Sequence, residues 1–204
     1  MTANGKKFSL ILFPLLFIVL AGAIILTVTH TMTREQITEN EHAVRLRILD
    51  SVMPLSYNNS FYDDVIRIGD SGISDSNYPL AVFRARYNGN PAGIVLMPVK
   101  AKGYSGNIDL IIGMDFDGKL LGVRTLRHRE SKGLGDQIDH TRSDWIKQFT
   151  GLALGNTPET DWAVTVDGGK IDQISGATIT SRGVVDAVRR SLEFYRANRD
   201  KLYQ

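Results

Sequence analysis

The chain has 204 residues, 43% of them hydrophobic, which suffices for one medium-sized domain with a genuine core and is too little for two. Its 24 basic and 22 acidic residues nearly cancel, and they balance once Lys6 and Lys7 are set aside, so no electrostatic footprint for nucleic acid is present. Cysteine is absent, which excludes disulfides, thiolate metal sites and cysteine-held clusters and leaves any redox chemistry to a borrowed cofactor.

The first predicted element is a transmembrane helix over residues 8–29. From Phe8 to Val28 the chain is uncharged and rich in Leu, Ile and Phe, about the 20 residues that a bilayer core demands. Pro14 is tolerable in such a helix. Lys6 and Lys7 precede it, so the positive-inside rule places residues 1–7 in the cytoplasm and everything after His30 outside. A cleaved signal peptide is the competing reading, with small residues at Ala21, Gly22 and Ala23. Apolar residues continue through Ile24, Ile25, Leu26 and Val28, beyond an ordinary signal core, and favour a retained anchor.

Residues 30–54 form a membrane-proximal segment, with a helix predicted from Thr33 to Met53 and ended by Pro54. Residues 55–204 make the extracytoplasmic domain. Ser56 to Pro79 reads as loop with short pieces of strand. Ala81 to Tyr87 and Gly93 to Val99 flank Asn88-Gly89, and Ile108 to Phe116 and Leu120 to Leu126 flank Asp117-Gly118, which predicts two hairpins. A short helix is expected over Ser143 to Phe149. Trp162 to Val166 and Lys170 to Ile174 around Asp167-Gly168-Gly169 predict a third hairpin. Ser181 to Leu202 reads as a helix whose Val184, Val185, Val188, Leu192 and Tyr195 share a face. Local hairpins with helices at the ends indicate an α+β domain and argue against a doubly wound parallel sheet.

Three stretches carry chemistry. Asp172, Gln173, Ile174, Ser175, Gly176, Ala177 and Thr178 resemble a flavin-attachment signal of the form D-x-x-S-G-A-T, in which the last threonine is esterified to the phosphate of FMN. Gly176 and Ala177 keep the approach to that hydroxyl nearly free of side chains. The helix that follows would offer unpaired amides and a positive dipole end to a phosphate. Asp172 is expected to orient the loop or to be read by the attaching enzyme. The plain alternative is that Ser175, Thr178 or Thr180 caps the helix. The second stretch, Gly103-Tyr104-Ser105-Gly106-Asn107-Ile108, precedes a strand; the third, Glu130-Ser131-Lys132-Gly133-Leu134-Gly135, follows one. Glycines of both stretches equally suit turns between strands.

Together these motifs resemble the G-subunit family of Rnf-type (also called Rsx) ion-translocating electron transport complexes, and more distantly the C-subunit family of the sodium-pumping NADH:quinone reductase. The third stretch usually reads E-T-P-G-L-G there, so Ser131 and Lys132 depart from the pattern while the acid and the glycines are kept. The resemblance implies a covalent FMN on Thr178, with Glu130, Ser131, Gly133, Leu134 and Gly135 near the flavin and Gly103 and Tyr104 as further neighbours. It implies a bacterial inner-membrane, single-pass protein with a periplasmic domain, working with other membrane and peripheral subunits and matured by a flavin transferase. Electrons would pass between ferredoxin and NADH, coupled to sodium or proton movement, with no independent turnover by this chain and no catalytic side chain of its own. Phe8 to Val28 contains no ionisable group, so the ion path is expected elsewhere.

Other chemistries find little support. No serine has a lysine three positions later, no G-x-S-x-G occurs, and His30, His42, His128 and His140 fall in no H-E-x-x-H pattern. His128-Arg129-Glu130 mimics the H-x-E of zinc deaminases without their cysteines. Asp115 to Gly118 lacks the distal glutamate of a calcium loop, so no metal site is expected. The rivals that remain are the C-type component of the quinone reductase, whose chains tend to be longer, and an anchored assembly module of the same fold without flavin.

Overall fold

The computed structural model describes residues 16–23, 27, 47–74 and 78–204. It divides into two compact units, Met1–Leu46 and Arg47–Gln204. In the first, residues 16–23 are helical with Leu16 to Leu20 exposed. No helix among the described residues is long and apolar enough to cross a membrane. Most of the span expected over residues 8–29, and the helix expected from Thr33 as far as Leu46, lie outside the described residues.

The second unit is built on β1 (Val65–Ile68), β2 (Leu80–Tyr87), β3 (Asn90–Lys102), β4 (Asn107–Asp115) and β5 (Leu120–Arg127). Among the described residues these strands form one antiparallel sheet in sequence order. Asn88 and Gly89 both have positive φ, 51° and 80°, the backbone of the tight turn that matches strand twist. β3 runs further than its alternation suggests, because Pro98 sits at the irregularity between Leu96 and Val99 where no ladder donor is needed.

Period-two alternation sends one set of side chains to each face of the sheet. Val82, Ile94, Leu96, Leu110, Ile112 and Val123 pack with Val184, Val185, Val188 and Leu192 of α1 (Thr178–Leu202). Phe83, Ala85, Val95 and Ile111 face the other way, against Leu49, Val52, Met53 and Phe61. Val52 lies flat on β4, since a Cβ at Gly113 would come within 1.9 Å of its carbonyl oxygen.

Beside that layer Tyr57 donates a 2.6 Å hydrogen bond to Asp50. Burial, then the bond and the charge of Asp50, push the Tyr57 phenol up to about 12; burial also raises Tyr195 and Tyr203. The unfolded phenol loses its proton near 10. The stabilisation from keeping Tyr57 protonated is therefore complete below about pH 10 and is lost as pH rises from there to about 12. An absorbance titration near 295 nm is expected to show these three tyrosines ionising late, and Tyr57→Phe to remove one late step.

Three expectations need correction. Residues 162–174 do not form a hairpin. Thr165–Asp167 makes a short 3-10 turn, and Val164 and Ile171 meet in an isolated parallel bridge. Trp162, Val164, Ile171 and Ile174 all turn into the core, which a flat strand pair with alternating faces would forbid. Asp167 is drawn to α1 instead, where Arg182 donates two 2.7 Å bonds to its oxygens and holds the carboxyl below its usual range. The short helix near Ser143 is a 3-10 segment, Trp145–Phe149, and α1 begins at Thr178, ahead of the predicted Ser181.

Candidate functional site

The three chemistry-bearing stretches converge at one end of the sheet. Asp109 anchors that end: Lys100 donates to one carboxylate oxygen at 2.5 Å and Arg127 to the other at 2.7 Å, tying β3, β4 and β5 where the loops depart. The 103–106 loop leaves β3, the 128–135 segment leaves β5, and residues 174–180 lead into α1.

α1 starts without a side-chain cap. Its N-cap is Ala177, whose carbonyl accepts the Ser181 amide at 3.0 Å and the Ser181 hydroxyl at 3.1 Å. The capping alternative for Ser175, Thr178 and Thr180 is thereby overturned: none of their hydroxyls bonds the helix end. The amides of Thr178, Ile179 and Thr180 precede the first intrahelical bond and have no helical acceptor. No acidic residue lies within the first turn itself; the carboxyl group engaged there comes from Glu130, on the Thr180 hydroxyl. Ahead of it, Asp172 is held through its backbone, by Trp145 Nε1 at 2.6 Å and by the Gln148 side chain, while its carboxylate is exposed.

In front of this turn lies a cleft of about 490 Å³ lined by Tyr104, Glu130, Ser131, Leu134, Gly135, Gly176, Ala177, Thr178, Ile179 and Thr180, within the range of small-molecule sites. Tyr104, Leu134 and Ile179 expose large apolar surface at its rim. Gly176 has a φ of +76°, which admits the chain to the cleft edge beside Leu134. Thr178 is the first helical residue, half-buried, and its hydroxyl has no hydrogen-bond partner among the described residues. This suits FMN: unpaired amides for a phosphate, a free hydroxyl beside them, and apolar walls for a ring.

Of the residues singled out in the sequence, Tyr104, Glu130, Ser131, Leu134, Gly135, Gly176, Ala177 and Thr178 line the cleft. Gly103, Gly133, Asp172 and Ser175 do not. The unusual Ser131-Lys132 pair leaves the turn intact, since Leu134 N–H still donates to the Ser131 carbonyl at 3.2 Å. Ile179 and Thr180 also line it and were hidden by placing the helix start at Ser181; continuing the helix back to the motif threonine would have exposed them.

Residues 103–193 match the family model described as FMN-binding domain, a span that contains every lining residue. The chain is 36% identical over 203 residues to the G subunit of the ion-translocating oxidoreductase complex of Aliivibrio fischeri, covering 99% of this chain and 95% of that one. It is 37% identical over 189 residues to the corresponding protein of Pseudoalteromonas atlantica, covering 92% and 87%. It is 36% identical over 184 residues to that of Pseudomonas aeruginosa, covering 90% and 86%. A solved structure, the C subunit of the Na(+)-translocating NADH-quinone reductase from Parabacteroides distasonis, aligns with a TM-score of 0.49 at 22% identity, over 83% of this chain and 95% of that one. The near-complete coverage at this identity, together with the matching domain around the cleft, assigns the chain to the G-subunit family of ion-translocating oxidoreductase complexes.

Proposed function

We propose that this chain is the electron-carrying component of a membrane-bound ion-translocating oxidoreductase, with FMN held in the cleft and joined through its phosphate to Thr178 Oγ1. The observation that carries the reading is the position of Thr178: first residue of an uncapped helix, on the wall of a cleft, with its hydroxyl unengaged. The net covalent change is the addition of FMN less one water, made by a flavin transferase. FMN, when bound, accepts one or two electrons and so links one-electron to two-electron carriers.

The chain's own residues bind and orient. The first-turn amides hold the phosphate, Thr178 tethers it, and Tyr104, Leu134 and Ile179 shield the ring from water. Outside the cytoplasm a dissociated cofactor is difficult to replace, and a tether keeps it at high local concentration near its acceptor. Residues 8–29 anchor the chain in the inner membrane, residues 30–54 lead away from it, and residues 55–204 work in the periplasm. The partners are the other membrane and peripheral subunits of an Rnf-type complex, which relays electrons between ferredoxin and NADH and couples them to sodium or proton movement.

The test is denaturing gel electrophoresis of the protein from a host with an active flavin transferase, viewed for flavin fluorescence, with peptide mass spectrometry across Asp172 to Arg182. A fluorescent band with FMN less one water on Thr178 supports the reading. A dark band favours an assembly module without flavin.

A further inference from the structure

Glu130 is a buried acid on the cleft wall, and both of its carboxyl oxygens are engaged by the protein itself. Its side chain is 7% exposed, and among the described residues no cation pairs with it. One oxygen accepts the Ser105 amide at 2.9 Å and the other accepts the Thr180 hydroxyl at 2.5 Å. A carboxyl group taken from water must recover its lost hydration from such donors, and these two come from separate segments, the 103–106 loop and α1. The geometry points to Glu130 as a positioning residue: its carboxylate locks the first turn of α1 to the 103–106 loop and thereby fixes where Thr178 stands.

The space around the carboxylate supports this. A Cβ at Gly103 would lie 2.3 Å from Oε1, and one at Gly135 2.7 Å from Oε2. Both glycines therefore make room for Glu130, which explains Gly103 although it does not line the cleft. Thr180 is fully buried, two residues beyond Thr178 on the same turn. The other side-chain fastenings at the start of α1 are the Ser181 hydroxyl, which donates to the Ala177 carbonyl and accepts the Ile174 amide, and Arg182, which donates to Asp167. Among the described residues the Thr180 bond to Glu130 is the one side-chain hydrogen bond that ties this turn to the 128–135 segment, and through it to the 103–106 loop.

The inference rests on the reading of the cleft as the flavin site, and its test separates the two. The full chain, prepared from a host without the transferase, is compared by amide hydrogen exchange with Thr180→Val, Thr180→Ser and Glu130→Ala; flavin loading is then measured after adding the transferase with flavin adenine dinucleotide, from which FMN passes to the Thr178 oxygen as AMP leaves and the hydroxyl proton is released. Valine removes the hydroxyl at nearly constant volume. Thr180→Val is expected to speed exchange at Ser181 by about tenfold or more while the β3 and β4 amides stay unchanged, and to slow loading at Thr178. Thr180→Ser restores both, and Glu130→Ala speeds exchange at Ser105 as well. Exchange at Ser181 unchanged in Thr180→Val, or equally faster across the whole sheet, overturns the proposal. A wild-type chain that takes no flavin yet shows the expected exchange pattern refutes the flavin reading and leaves the lock standing.

Discussion

Thr178→Ala is expected to abolish covalent flavin completely while leaving the domain folded. The cleft holds two other hydroxyls on its serine and threonine side chains, Ser131 and Thr180. Thr180 is spent on Glu130, and Ser131 lies in the facing segment, away from the unpaired amides that would hold a phosphate. Neither can replace Thr178. Loss of the tether should stop electron transfer through the complex. The fold is insensitive for a separate reason: Thr178 is half-buried, its hydroxyl is unengaged, and alanine is the better helix former by up to about 0.7 kcal/mol. The change in stability should stay within about 1 kcal/mol, or about 2–4 °C in Tm. In-gel fluorescence and mass spectrometry across Asp172 to Arg182 check the first half, and thermal unfolding the second. Thr178→Ser keeps a hydroxyl at the same place and should retain part of the loading. Flavin still bound covalently in Thr178→Ala would refute the assignment.

Gly183→Ala is expected to reverse the ordinary rule for helices. In an exposed helix interior this change stabilises by about 1 kcal/mol, because glycine loses more backbone freedom on folding. Here a Cβ would lie 1.8 Å from the Lys102 carbonyl oxygen and 2.7 Å from its carbon. Both are backbone atoms, so no side-chain rotation relieves the overlap, and α1 must move off the end of β3. Overpacking of this kind costs about 1–3 kcal/mol and occasionally more, and the upper end applies because a helix and a strand must separate. A net loss of about 3 kcal/mol would lower Tm by about 6–12 °C. The displacement falls one turn from Thr180 and beside the strand leading to Gly103, so flavin loading should fall with it. Gly155→Ala is the control: nothing lies within 4 Å of its Cβ position, and it should change stability by less than about 0.5 kcal/mol. Thermal unfolding of both variants decides the matter; equal stability of Gly183→Ala and the parent chain would contradict the packing argument.

Much of the fold, and most of the lining of the candidate cleft, were legible in the residues. The turns at Asn88-Gly89 and Asp117-Gly118 located two hairpins because positive φ is costly for most side chains, and Asn88, Gly89 and Gly118 adopt it. The shared face of Val184, Val185, Val188, Leu192 and Tyr195 located the helix because its 3.6-residue period needs no knowledge of the partner surface. The 172–178 motif pointed to the wall of the cleft for the same reason: it is local and contiguous.

The tertiary structure decided what depends on residues far apart in the chain. Asp167-Gly168-Gly169 looks like a hairpin turn until Arg182 and the core claim its flanks. That Gly103 and Gly135 leave space for one side chain is invisible until Glu130, distant from Gly103 in sequence, is found beside both. Thr180 looks like a cap until its hydroxyl meets the same carboxylate across 50 positions. Turn chemistry and periodicity are properties of neighbouring residues and survive in the sequence by itself. Which buried donor answers which buried acceptor, and which glycine exists to admit it, is set by the packing of α1 against β3 and β4, and only the folded chain contains those distances.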